Sequence, residues 1–559
     1  MKKIITFALG AVVTVAAAAQ SWQDALYFSE NLYQGTARSV GMGNALTAVG
    51  GDLGSIGLNP AGSSVAGYSQ VVITPGLSIS STSATGVIPE GSTSPMGLGD
   101  KVNSGYARVK LPNIGFIINA DTGRRAGWKR FSFGMVSNAT NDFTGRVVGS
   151  GVNEDNSFVA SLASSAEGYT ENVLGTGDWW YDGPDVTRMP AWMDMVGYRS
   201  GMFNGIPGSA NKYQAVTEVR DAANNCWLAA PVYQKYGQQT YGYKQDLFLN
   251  MSANYNDQLY LGFNLGFTML NYNMSEYWQE SPENAEEFPD IEYTDGTRGR
   301  FASLMMKHNY SLRGSGVYFK AGLLWRPVGG LRLGVAIQSP TWTNMRARQA
   351  YSGEVRLTGK TLLPSTSPED DWTFRLQQPW RLNAGVAYSF GSVAVVSADY
   401  ELTDYRSARY RGSSASMPAY LTDANGDIQN ALTVGHQFRA GLEVKPASFL
   451  SIRAGYNYIT SAQKNWLNAD WTNTPLSSAD KIRQAKHVAS VGLGASFGAF
   501  FLDAAVRVRF MPKEYLLTYD YYTYDADPMS KRIDNNVLTP ELEAKARLWD
   551  ALLTFGWRF

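Results

Sequence analysis

From Tyr241 onward the chain alternates. The odd positions carry Tyr241, Tyr243, Gln245, Leu247, Leu249, Met251, Ala253 and Tyr255, while the even positions are mostly Gly, Lys, Asp, Asn and Ser. After Asn256-Asp257 the alternation resumes as Leu259, Leu261, Phe263, Leu265, Phe267 and Met269, opposed by Gly262, Asn264, Gly266 and Thr268. A period of two means β-strands with one apolar and one polar or small face. The runs exceed the usual five or six residues of a soluble strand. They match the roughly ten residues that a tilted strand needs to cross a bilayer.

The pattern recurs around short turns. Val317–Trp325 turns at Pro327–Gly330 into Leu331–Ile337, and Trp380–Phe390 turns at Gly391-Ser392 into Ala394–Leu402. Phe438–Val444 leads to Leu450–Tyr458, Val491–Phe497 to Phe500–Phe510, and the chain closes with Ala551, Leu553, Phe555, Trp557 and Phe559. Weaker alternation covers Gln70–Ser80, Tyr106–Ala120 and Trp128–Ala139, which makes fourteen candidate strands. Short connections alternate strictly with long ones, the asymmetry of an outer-membrane barrel with periplasmic turns and extracellular loops. The chain is therefore expected to be all-β: a transmembrane antiparallel barrel of 14 strands over residues 70–559. A soluble β-sandwich explains neither the loop asymmetry nor the aromatic residues at strand ends, among them Tyr255, Tyr272, Trp325, Trp342, Tyr388, Phe390 and Trp557. These read as interfacial girdles.

Composition agrees. Only 17% of the 559 residues are charged, with 48 basic against 48 acidic residues, 56 glycines and 13% aromatics. Soluble domains average about 25% charged residues. The neutral balance removes the basic footprint of a nucleic-acid partner. The lone Cys226 excludes a disulfide framework. Lys2-Lys3, an apolar run from Ile4 and the closing Ala17-Ala18-Ala19 read as a signal peptide over residues 1–19, with a Gram-negative outer membrane as the destination.

Residues 20–69 resemble no strand. The run from Gly35 to Gly62, closing on Asn59-Pro60-Ala61-Gly62, is rich in glycine and small residues that allow close backbone approach. Its apolar residues (Val40, Met42, Leu46, Val49, Leu53, Ile56, Leu58) need burial, so it is read as a hatch plugging the lumen rather than a disordered tail. No Gly-Lys-Ser/Thr follows the glycines, so they form no phosphate loop.

This hatch run resembles the N-terminal hatch of the FadL/TodX family of outer-membrane transporters for long-chain fatty acids and hydrophobic compounds. The likeness extends to Gly314–Pro340, Pro379–Tyr400 and Phe438–Tyr458. The resemblance implies a 14-stranded barrel that captures a hydrophobic ligand between extracellular loops, passes it to a lumen pocket and releases it sideways through a strand kink. It places Asn59, Pro60, Ala61 and Gly62 at the hatch gate. The expected function is diffusion of fatty acids or other hydrophobic small molecules, by a monomer with no cofactor and no metal. A PorV-like barrel of a secretion system shares the hatch motif in looser form, and a porin for polar solutes is the remaining alternative.

The long segment Thr140–Thr240 carries Trp179, Trp180, Tyr181, Trp192 and Met193, candidates for a capture groove because exposed apolar clusters mark binding sites. The acidic residues Glu280, Glu283, Glu286, Glu287, Asp290 and Glu292 read as a solvated loop, although oxygen ligands could hold calcium. His308, His436 and His487 are read as isolated surface histidines, with no Ser/Asp partners for catalysis; no enzyme is expected. Lys320, Arg326, Arg332, Arg453, Arg507 and Arg509 should face the lumen and pair internally with Asp399, Glu443 and Asp503. Phe559 matches the C-terminal signal read by the barrel-assembly machinery. The expected partners are that machinery, outer-membrane lipid and the ligand.

Overall fold

In the computed structural model, residues 21–88, 97–179, 190–292, 296, 298–362, 364–412, 419–467, 473–475, 484–519, 522–524, 531–533 and 540–559 are described. Fourteen strands close a single antiparallel barrel. They are β1 (Gln70–Gly86), β2 (Val102–Asp121), β3 (Trp128–Asp142, continued as Gly145–Asn153), β4 (Val232–Tyr255) and β5 (Leu259–Pro282). The next are β6 (Arg298–Trp325), β7 (Leu331–Gln338, continued as Thr341–Leu357), β8 (Asp370–Gln378, continued as Arg381–Phe390) and β9 (Ala394–Asp404). β10 (Val434–Ala447), β11 (Leu450–Ile459), β12 (Lys486–Phe497), β13 (Phe500–Leu517) and β14 (Glu541–Arg558) complete the wall. β1 pairs with β14 from Gln70↔Arg558 upward, which removes both sheet edges. Ser69 and Phe559 extend this seam by exchanging both backbone hydrogen bonds, at 3.0 and 3.1 Å.

The expected strands all form, and most run past their predicted outer ends. The outward face of β5 shows where the bilayer stops: Leu261, Phe263, Phe267 and Met269 are exposed, and the row then turns polar at Asn271, Asn273 and Ser275. β6 repeats the change, from Trp325, Leu323 and Phe319 to Ser315, Arg313 and Asn309. The outer halves of β4–β7 therefore stand above the lipid as a polar-faced wall. One girdle assignment fails. Tyr272 is 7% exposed and points into the lumen, because it falls on the even, inward register of β5.

The hatch fills the lower lumen. It comprises α1 (Trp22–Ser29), α2 (Ala37–Gly41), α3 (Leu53–Ile56) and a 3-10 turn at Pro60–Val65. A capping box between Ser21 and Asp24 starts α1. Val40, Met42, Leu46, Leu53 and Ile56 are fully buried. Above them, the connection from β3 to β4 builds a vault from α4 (Phe158–Ala166), α5 (Glu171–Gly175), α6 (Trp192–Arg199) and two small hairpins.

Candidate functional site

The hatch is held against the wall by cross-strand glycine pairs. Gly262↔Gly322 joins β5 and β6, Gly334↔Gly385 joins β7 and β8, and Gly441↔Gly455 joins β10 and β11. All six belong to the inward register. A Cβ on Gly262 would collide with Pro60 and Ala61, and one on Gly322 with the Asn59 side chain. At Gly334 the obstacle is Thr47, at Gly385 Asp399 and then Thr47, and at Gly441 and Gly455 it is Met42 and Gly43. At these three places the hatch lies directly on the lumen wall, where the wall has no side chains.

Asn59 fastens one of these contacts. Its amide donates to Thr47 O at 2.8 Å and to Leu323 O at 3.0 Å, and its oxygen accepts from Ala61 N at 3.1 Å. Asn250 on β4 donates to Pro60 O at 3.0 Å, and Asn264 on β5 donates to Ile56 O at 3.0 Å. Gly62 packs edge to edge on Gly50-Gly51, with Gly51 N donating to Gly62 O at 2.8 Å. Asn59, Pro60, Ala61 and Gly62 therefore form one turn pressed on β4–β6.

The lumen cations are used up locally. Arg453 bridges Glu443 and Asp503 at 2.6 Å each, and Arg38 of the hatch shares Glu443 at 2.8 Å. Lys320 donates to Gly57 O and Arg332 to Val49 O, both at 2.7 Å. Arg507 and Arg509 find Asp550 on β14, a partner the alternation of β14 contained but its apolar face overshadowed. Asp399 takes no cation as its closest partner; it accepts from the Thr47 N–H at 2.7 Å. Arg326 lies at the turn, 3.3 Å from the Tyr260 hydroxyl.

One stretch of the wall lacks a backbone ladder. β2 and β3 pair only from Asp121↔Arg130 to Asn113↔Asn138, and Pro112 follows with no N–H to donate. β3 slips register between Ala139 and Asn141 and breaks at Phe143-Thr144. Its outer half leans across the mouth: Asp100 N donates to Ser150 O at 2.9 Å, and Gly149 lies against Leu542 of β14. The hatch meets this kink directly, with Leu32 N donating to Thr140 O at 2.7 Å and Gln34 N to Ala139 O at 2.8 Å. Lys110 on β2 reaches across to Asp142 on β3 at 2.8 Å.

Apolar side chains collect beside that break. Phe143, at the kink, packs against Tyr27 and Phe28 of α1 and Tyr272 of β5, with ring centroids 5.0 to 5.9 Å apart. Leu270, Leu312, Met345, Phe374 and Leu376 extend this cluster around β5–β8. Leu26, Tyr27, Met274, Tyr310 and Trp372 pack against it and are only partly buried.

No family model and no curated protein matches the sequence. Among solved structures, a Pseudomonas aeruginosa FadL homologue is similar at 13% identity and a TM-score of 0.47, over 95% of this chain and 99% of that one. The Pseudomonas putida toluene transporter TodX is similar at 13% identity and a TM-score of 0.45, over 95% and 99% of the two chains. The Ralstonia pickettii toluene transporter TbuX is similar at 13% identity and a TM-score of 0.43, over 95% of this chain and all of its own.

The capture candidates divide. Trp179 and Trp192 pack edge to face at 5.6 Å, and the Trp192 indole donates to Trp179 O at 2.8 Å. Arg199 lies 4.1 Å over the Trp179 ring. Both tryptophans keep some of their surface open on the vault cluster, whereas Met193 is buried within it. Trp180 and Tyr181 lie outside the described residues.

Two readings of exposed polar residues are corrected. Glu280 does not belong to a solvated loop: its carboxylate is 1% exposed and accepts from Phe158 N at 2.6 Å and Val159 N at 3.4 Å, which caps α4. Burial pushes its pKa up to about 7 against the opposing pull of these bonds and of Gln234. His308 is buried as well, on the inner face of β6. His436 and His487 hold the hydroxyls of Tyr400 and Tyr456, each at 2.7 Å.

Proposed function

We propose that the protein is an outer-membrane channel through which hydrophobic small molecules, long-chain fatty acids among them, diffuse without energy input. The observation that supports it most is the pairing of a lumen occupied by the hatch with a stretch of wall that no backbone ladder closes. The hatch packs directly on the lumen wall at three glycine pairs, while the β2–β3 break adjoins the apolar cluster around Phe143. A polar solute gains nothing from that arrangement, because the neighbouring lumen charges are already paired. An apolar ligand would enter at the vault, rest among Tyr27, Phe143 and Tyr272, and leave beside Phe143 into the bilayer. Hydrophobic transfer supplies the downhill direction.

Trp179 and Trp192 are proposed to guide capture at the vault, and Asn59–Gly62 to keep the hatch closed. The hatch packing favours this reading over a general porin. Uptake of radiolabelled oleate tests it, in Gram-negative cells lacking their own hydrophobic-compound channel. Expression should raise the initial rate, and the rate should fall when the β2–β3 break is covalently closed. An unchanged rate on expression removes the fatty-acid reading.

A further inference from the structure

The outward face of β6–β8 carries a row of arginines just above the lipid-facing band. Arg313 of β6 lies opposite Arg346 of β7. Arg375 of β8 lies opposite Arg411 of the short strand Arg409–Gly412, which pairs with the outer half of β8. Across β7 and β8, Arg346 faces Thr373 and Asn344 faces Arg375, so Arg346 and Arg375 are diagonal neighbours. The four arginines therefore form one row, and all four are exposed. Neighbouring strands lie about 4.8 Å apart, so the row runs for about 14 Å around the barrel.

These charges are not balanced within the chain. Arg346 Nε donates to Asp371 at 2.7 Å, and Arg348 beside it reaches Glu369 at 3.1 Å. Arg313, Arg375 and Arg411 meet no carboxylate among the described residues. On the other side of Arg313, the outward row of β5 offers only Asn271, Asn273 and Ser275. Like charges directly opposite one another destabilise a strand pair. Two such pairs side by side call for an anion from outside the chain.

The level of the row decides which anion. On β7 the exposed Trp342 closes the lipid-facing band, and Asn344 and Arg346 follow it outward. At about 3.3 Å per residue, Arg375 stands about 7 Å and Arg346 about 13 Å further along the strand than Trp342. That is the headgroup level of the leaflet on the long-loop, extracellular side. A guanidinium grips phosphate through two parallel hydrogen bonds. Three uncompensated cations match a headgroup with more than one phosphate better than the single phosphate of an ordinary phospholipid.

We infer that Arg313, Arg346, Arg375 and Arg411 bind the phosphates of an outer-leaflet phosphoglycolipid, lipid A, whose acyl chains lie along Met269, Phe319 and Trp342. This rests on the outer-membrane placement of the barrel and not on what its lumen carries.

The test is native mass spectrometry of the detergent-purified barrel titrated with lipid A, with dephosphorylated lipid A and with phosphatidylglycerol. The wild type should bind lipid A about tenfold or more tighter than either of the others. Arg313→Gln/Arg375→Gln/Arg411→Gln should lose about tenfold or more of that affinity. Arg124→Gln/Arg125→Gln/Lys445→Gln removes the same charge from exposed positions at the short-turn end and should bind as the wild type does. Heat-dependent gel mobility checks that each variant is folded. Wild-type affinity in the first variant overturns the site, as does an equal loss in the second. Equal binding of lipid A and phosphatidylglycerol, or none of lipid A, overturns it too. Each of these results leaves hydrophobic transport standing. A barrel found outside the outer membrane on cell fractionation would instead remove the placement itself, and the lipid site with it.

Discussion

Lys110 and Asp142 form an ion pair at 2.8 Å across the one stretch of wall where their strands, β2 and β3, share no backbone hydrogen bond. Lys110 also reaches Ser78 at 2.5 Å, and it pairs with Asp550, which Arg507 holds at 2.7 Å. The seam is thus closed by side chains, where the other neighbouring strands are joined by ladders among the described residues. Side-chain contacts can separate singly; a ladder opens only cooperatively.

Removing the pair should therefore loosen the exit without unfolding the barrel. Lys110→Met alone leaves Asp142 short of its nearest cation, and breaking a buried pair costs about 3–5 kcal/mol. The double variant Lys110→Met/Asp142→Asn avoids that uncompensated charge. We expect it to keep wild-type heat-modified mobility and to pass a lumen-bound fluorescent hydrophobe to liposomes about threefold faster, the effect of roughly 0.7 kcal/mol on opening. An unchanged transfer rate would mean that the exit lies elsewhere.

The glycine pairs carry a second expectation. A leucine at Gly322 has nowhere to go except into Asn59 and Pro60. Gly322→Leu should displace the Asn59–Gly62 turn and loosen the hatch while β6 keeps its pairing with β5. Planar-bilayer recordings should then show steady ion conductance that the wild type lacks. A silent Gly322→Leu barrel with normal mobility would show that the turn does not seal the lumen.

Glu280 makes the vault pH-sensitive. Its folded pKa of about 7 lies above the ordinary value of 4.5, so the folded vault binds the proton more tightly than the open chain does. The associated stability is fully present below pH 4.5 and is lost as pH rises through 7. Glu218, within the connection from β3 to β4 itself, is also raised to about 7 by burial and adds in the same direction. Limited proteolysis of the segment between β3 and β4 should accelerate from about pH 5 to about pH 8, and Glu280→Gln should flatten most of that rise. A protease profile independent of the substitution would contradict the buried cap.

Much of this architecture was legible in the alternation, because a barrel wall repeats one physical rule on every strand. Leu261 to Met269 can face only lipid, and that row alone locates the bilayer. The hatch was legible in composition, through Gly35–Gly62. The glycines of the wall carry no matching signal in the sequence, since Gly262 and Gly322 are distant along the chain and meet only through strand register. Tyr272 and His308 depart from the expectation for a related reason. The strands run on above the membrane, so residues that looked like girdle or loop occupy the inner wall. The kink at Phe143-Thr144 left no strong signal either, because β3 continues past it as Gly145–Asn153.

Everything proposed for this barrel depends on a lumen that holds an apolar ligand rather than water and ions. Native mass spectrometry of the barrel extracted from outer membranes reads that occupancy. We expect a bound hydrophobic molecule at close to one per chain, released when the β2–β3 seam is loosened by Lys110→Met/Asp142→Asn. A ligand-free barrel that conducts ions steadily with its hatch intact would contradict it.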